Sequence, residues 1–158
     1  MRFSARQLQK GMRWWPPFLG AGIRVRRMSD DFRDAVVDMK LGRLNRNYFG
    51  THFGGSLYAM TDPFFAIMLF RNLGTDYLIW DKSGSIEYVS PGRGTVTAHF
   101  HLSEKRIAEI RAEAAGGVKV LPEFHVNIKD ESDTIVARVH KTLYVRLKPR
   151  KRPASEER

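Results

Sequence analysis

Three residues in one stretch have the chemistry of a site: the paired glycines Gly54 and Gly55, and Asp62, the only carboxylate between Asn47 and Leu73. Glycines at a helix entrance leave backbone N–H groups open to an incoming oxygen, and such amides hold developing negative charge. A carboxylate in an apolar segment can act as general base on water or attack an electrophilic carbon itself. Asp62 stands inside the longest apolar segment of the chain, SLYAMTDPFFAIMLFRNL, and is followed at once by Pro63. The same Asp-Pro pair is also a good helix start, with Asp62 as N-cap and Pro63 at the first helical position. Both readings stand at this point: a lone buried acid that does chemistry, or a cap.

The elements that must position these groups follow from periodicity. From Leu57 to Leu73 apolar residues fall on nearly every face of a helix, which implies burial on several sides. If residues 55–62 are helical they span roughly 10 Å, at about 1.5 Å per residue. One reacting carbonyl cannot then touch the Gly55 amide and Asp62 of the same chain. A shared substrate needs Asp62 from a second subunit, so a dimer at minimum is expected.

Around that helix the texture is that of strands. Ile23 and Val25 alternate with Arg24 and Arg26, and Val37, Met39 and Leu41 share a face. Tyr77 to Trp80 and Ser85 to Ser90 read as strand, and Pro91 to Gly94 as a turn. Residues 95–102 alternate cleanly, and Ser103 caps a helix that ends at Gly116-Gly117. Residues 123–129 form another strand. The last strand, 134–147, has Ile135, Ala137, Val139, Leu143, Val145 and Leu147 in register. Upstream, residues 4–13 read as a short helix and Pro16-Pro17 as an extended link. Trp14, Trp15, Phe18 and Leu19 are expected to pack; a lipid-surface role for this aromatic and basic segment is the alternative, on a short apolar face. The division is 1–21 helix and link, 22–147 one domain, and 148–158 a basic, disordered tail. The class is α+β, one sheet folded around one helix.

Composition narrows the function classes. The 158 residues are 42% apolar and 28% charged, as expected of one globular domain. No cysteine is present, which removes disulfides and thiolate metal sites and suits a cytoplasmic setting. The apolar run 57–70, broken by Asp62 and Pro63, is too short to span a bilayer. The formal charge is +10, yet residues 1–27 hold seven Lys/Arg and no acid, and 146–158 hold six against two Glu. Residues 28–145 are close to neutral. Basic ends on a neutral domain disfavour nucleic acid as the main partner, although an anionic surface remains a third reading.

The order of elements, with the entrance GTHFGG, resembles the hotdog fold, a curved antiparallel sheet of about six strands wrapped around one long central helix. It is similar to the thioesterase superfamily that includes the phenylacetyl-CoA type, and within it to a branch described as tetrameric acyl-CoA thioesterases. Many relatives carry an Asn, then Gly-Thr-Val-His-Gly-Gly, then an aspartate seven residues on. Asn47, Gly50, Thr51, Gly54, Gly55 and Asp62 fall at the matching positions. The resemblance extends from about Pro16 to Leu147, and it is sharp only over 47–65. It implies an acyl-CoA or acyl-carrier thioester hydrolase, with catalytic candidates Asp62, Gly54, Gly55, His52 and Asn47, in a homodimer or homotetramer whose sites lie between subunits. Ser90-Pro91-Gly92-Arg93-Gly94 resembles a turn that lies near the CoA in relatives, which makes Arg93, Lys82 and Ser90 candidate CoA contacts; Arg71 is a weaker one. No cofactor is expected beyond the CoA moiety of the substrate.

One position departs from the pattern. Phe53 occupies the family histidine position, and His52 stands where relatives carry valine. That departure favours a second reading, a non-catalytic binder of acyl-CoA or a lipid-like ligand. His99 and His101 share a strand face without an evident third ligand, so no metal site is expected. Tyr48, Phe49, Tyr58, Phe64 and Phe65 are expected to pack in the core or an interface, with one or two lining an acyl slot.

Overall fold

The computed structural model describes residues 3–149. Six strands form one antiparallel sheet: β1 (Ile23–Met28), β2 (Asp34–Lys40), β3 (Tyr77–Tyr88), β4 (Thr95–His101), β5 (Glu123–Lys129) and β6 (Ile135–Leu147), in the spatial order β1-β2-β4-β5-β6-β3. The two apolar runs at 77–80 and 85–90 belong to a single strand, β3, which pairs with β6 through a register shift between Asp81 and Ser83.

The expected central helix is present as two segments, α3 (Gly54–Ala59) and α4 (Phe64–Leu73). Pro63 has no N–H to continue the ladder, so the chain between them closes with shorter-range bonds, Thr61 N to Tyr58 O and Asp62 N to Ala59 O. Phe64, Phe65, Met68 and Leu69 of α4 are buried against the sheet. Phe65 stacks on Phe124 at a centroid distance of 4.6 Å, and Phe64 lies 4.8 Å from Phe100. α5 (Glu104–Ala114), capped by Ser103, closes one side, and Arg111 donates to the carbonyls of Asn72 and Leu73.

The N-terminal segment differs from the expected extended link. After α1 (Ala5–Met12), whose Ser4 and Gln7 form a reciprocal cap, residues 16–21 make a second helix, α2 (Pro16–Ala21). Two prolines at the first helical positions lose no hydrogen bond there, and their fixed φ suits the turn, so only Trp15 stays extended. Ala5, Met12 and Phe18 enter the main core. Of the four residues expected to pack, Phe18 enters the core and Trp15 lies against it at a ring distance of 4.9 Å while staying partly exposed; Trp14 and Leu19 are exposed.

The two edges of the sheet end differently. Beside β1 lies α1, whose Gln9 side chain donates to the carbonyls of Val25 and Arg26. β3 has β6 on one side and, among the described residues, no strand on the other along its 12 residues. Of the tail, only Lys148 and Pro149 fall within the described residues, Lys148 N donating to Asp76 O. No helix among the described residues is long and apolar enough to cross a membrane.

Phe65 bridges α4 to two strands, so Phe65→Ala should cost about 3–5 kcal/mol of unfolding free energy, read by urea denaturation. A loss below about 1 kcal/mol would mean that the helix is not seated on the sheet as described.

Candidate functional site

The loop before α3 is built on Asn47. Its Oδ1 accepts from the N–H groups of Phe49 and Thr51, and its Nδ2 donates to Thr51 Oγ1 and His52 O. Both amide donors and the carbonyl are engaged inside the loop. Asn47 therefore shapes the entrance and presents no free donor to a ligand. Gly50 completes the turn at φ 77°.

Phe53 then stands at the N-cap position, and Gly54 and Gly55 open α3. Their amides make no hydrogen bond among the described residues, as the geometry of a first helical turn dictates. They face a cleft of about 800 Å³ that Phe53, Tyr88, Ser90 and Arg93 also line. A Cβ on Gly54 would lie 2.8 Å from the Tyr88 hydroxyl, and one on Gly55 2.5 Å from the Phe53 ring. Two exposed aromatic rings thus cover the two glycines, and a larger residue would require one of them to shift.

His52 lies at the cleft wall but is buried. It is 2% exposed, its Nε2 lies 3.1 Å from the Gly94 carbonyl, and Nδ1 has no partner. With Nε2–H donating to that carbonyl, the ring is neutral. Burial pushes its pKa below 6.5, only partly opposed by the Gly94 hydrogen bond. Ser90 Oγ donates to Ile135 O at 2.7 Å, so its proton is committed to the fold. Arg93 is exposed at the cleft, whereas Lys82, exposed on β3, is not among the residues that line it. Arg71 is committed elsewhere, to Phe3 O and the face of Phe32. Tyr48 and Phe49 are exposed rather than packed.

Asp62 is neither alone nor buried in the single chain. Its side chain is 53% exposed, and Lys141 Nζ donates to Oδ1 at 3.0 Å. It makes no cap: α4 begins at Phe64 with Pro63 in the N-cap position and no side-chain cap bond. Lys141, only 2% exposed, also pairs with Asp81 at 3.2 Å and lies under the Tyr58 ring. Gly84 leaves room for this cluster, since a Cβ there would collide with the Tyr58 hydroxyl. Burial pulls the Lys141 pKa down, but hydrogen bonds and charge from Asp62 and Asp81 outweigh it and hold the ammonium above its usual value. Asp81 is pushed up by burial, with Lys141 opposing.

Sequence reasoning missed Lys141, Asp81 and the covering role of Tyr88. For Lys141 a signal existed. Odd positions of β6 face the core, and Lys141 is the one charged residue on that face, where an ammonium must find carboxylates. Asp81 and Tyr88 carry no such mark, because most of β3 is exposed on both faces. Asp62 does not line the glycine cleft, so the two groups expected to act together are held apart in one chain. His101 is hydrogen-bonded to Asp34, and the described residues contain no cluster of three or more His, Asp or Glu placed for a metal ion.

A neutral buried His52 makes stability pH-dependent. Its folded pKa lies below the unfolded value of 6.5, so the unfolded chain binds the proton first and stability falls as pH drops below 6.5. His52→Gln, which keeps a donor for Gly94, should flatten that slope in urea titrations; an unchanged slope would exclude His52 as its source. Lys141→Met should destabilise by about 1–3 kcal/mol by leaving two carboxylates without their cation, and adding Asp81→Asn should recover part of it. No recovery would show that the pairing does not carry the cost.

Solved structures share this architecture at low sequence identity. A protein of unknown function from Pseudomonas aeruginosa, described as a probable thioesterase, is 19% identical, with a TM-score of 0.79 over 93% of this chain and 98% of its own. A thioesterase of Haemophilus influenzae is 14% identical, at 0.67 over 93% of both chains. The Escherichia coli PaaI protein of the phenylacetic acid degradation operon is 16% identical, at 0.59 over 90% and 91%. These likenesses show the fold expected from the resemblance, a hotdog sheet around its helix. No curated protein matches the chain in sequence. Residues 4–145 match one family model, and the chain belongs to that family, the domain of unknown function DUF4442.

Proposed function

We propose that this chain is an acyl-CoA-type thioester hydrolase whose sites form between two copies. One observation carries the reading: the cleft holding the free Gly54 and Gly55 amides lacks Asp62, which sits exposed beside β3, the uncovered edge of the sheet. Pairing β3 with β3 of a second copy would satisfy that edge and extend the sheet. It would also give each glycine cleft a carboxylate from across the interface.

In such a site the thioester oxygen accepts from the Gly54 and Gly55 amides, which match the charge that grows there. Asp62 of the partner subunit takes a proton from water as the water oxygen bonds to the acyl carbon. The C–S bond then breaks, the thiolate leaves and is protonated, and a carboxylic acid remains. Direct attack by the carboxylate, through an anhydride that water opens, conserves the same atoms. Lys141 orients Asp62 through the 3.0 Å hydrogen bond without touching substrate. Arg93, at the cleft, is the stronger candidate for a CoA phosphate; Lys82, midway along β3, does not line it.

Phe53 over Gly55, with His52 turned inward, supports a second reading as a binder of acyl-CoA without turnover. A screen of acyl-CoAs by thiol release and thermal shift separates the two. Hydrolysis should appear, and Asp62→Ala should lower kcat by about 100-fold or more with the oligomer intact by gel filtration. Mixing Asp62→Ala with Gly54→Val chains should restore part of the lost activity. Unchanged turnover in Asp62→Ala would sink the mechanism, and thermal stabilisation without thiol release would favour the binder.

A further inference from the structure

We infer that the N-terminal segment is a docking surface for an anionic lipid bilayer, a role that does not depend on thioester turnover. At about 100° per residue, α1 turns Ala5 and Met12 into the core, where both are buried. Arg6 and Lys10 then lie on one flank and Gln7, Leu8 and Gly11 on the other. The cationic flank opens on a groove of about 500 Å³ lined by Arg6, Lys10, Arg13, Arg24 and Arg26. Of these five, Arg26 pairs with Asp38, and the other four have no ion-pair partner among the described residues. The opposite flank opens on a groove of about 470 Å³ whose walls are Phe3, Leu8, Met12, Trp14, Trp15 and Ile67. Trp14 is 71% exposed, and Phe3, Trp15 and Leu19 are also open to solvent. Nothing crowds Gly11 on the outer ridge, so α1 is free to lie flat on a surface.

A plane laid on α1 therefore meets unpaired cations on one side and exposed aromatic rings on the other. That combination matches the headgroup boundary of an anionic membrane. Trp and Phe enter the acyl margin while Arg and Lys hold lipid phosphates and carboxylates, and their aliphatic stems lie along the apolar rim. Charge excludes the nearer alternatives. A second copy laid on the same patch would bring cations against cations. The C-terminal tail, with Lys148, Arg150, Lys151 and Arg152, has the same sign. A soluble polyanion would use the basic groove and leave the tryptophans idle.

The test is co-sedimentation of the full chain with phosphatidylcholine vesicles, with and without phosphatidylserine, at low and high salt. Binding should require phosphatidylserine and weaken with salt. It should fall about tenfold or more in Lys10→Glu/Arg13→Glu and again in Trp14→Ser. Lys151→Glu/Arg152→Glu should leave it largely intact. Circular dichroism checks folding, and Lys10→Gln/Arg13→Gln serves as the milder form of the charge variant. Failure to bind, binding without regard to phosphatidylserine, or loss only in the tail variant would overturn the inference. So would loss with the charge variants but not with Trp14→Ser, which marks a polyanion site. Self-association without vesicles that Trp14→Ser abolishes would assign the patch to a second copy.

Discussion

An ammonium group inside a sheet sets the terms for much of this molecule. Lys141 occupies a core-facing position of β6, and its burial is tolerable only because two carboxylates from different elements converge on it. Asp62 reaches it from the break between α3 and α4, and Asp81 from β3. The ion pairs thus tie the helical layer to the outer strand at a point where apolar packing thins out. Tyr58 covers the same group, and Gly84 is the residue that lets it do so.

That constraint also explains which parts of the structure were legible in the sequence. The sheet was readable because inward positions alternate in β4, β5 and β6, and the central helix because apolar residues fall on nearly every face from Leu57 to Leu73. The glycine pair was readable because glycines at a helix entrance leave N–H groups open, whereas the rings that lie over them were not. The environment of Asp62 was not. Its partner lies 79 residues away in sequence, and an apolar run around an acid gives no sign of which end of the helix is exposed. The link at Pro16-Pro17 was misread because the dipeptide satisfies two backbone geometries, extended and first-turn helical, that sequence alone leaves equal. Trp14 was misread for a different reason: large rings report burial on average, and this one is exposed.

The sheet treats its two edges in opposite ways. At β1, a glutamine from α1 occupies two of the free carbonyls, and a crowd of guanidinium groups surrounds them. At β3, no strand among the described residues pairs with the outer side, and its side chains are half apolar and half polar, with Trp80 stacked flat on Tyr144. An edge of that kind is a template for another strand. The molecule is thus polar, with one edge closed by α1 and cationic and the other edge open.

The interruption at residues 60–63 has a further meaning. It divides the helical layer into a short piece that carries the glycine amides and a longer piece wedged into the core, joined by a few i to i−3 bonds and a proline. A continuous rod would transmit every tilt of its entrance to the phenylalanine stack. A jointed one lets a shift at the entrance be absorbed locally, while the phenylalanine stack stays fixed.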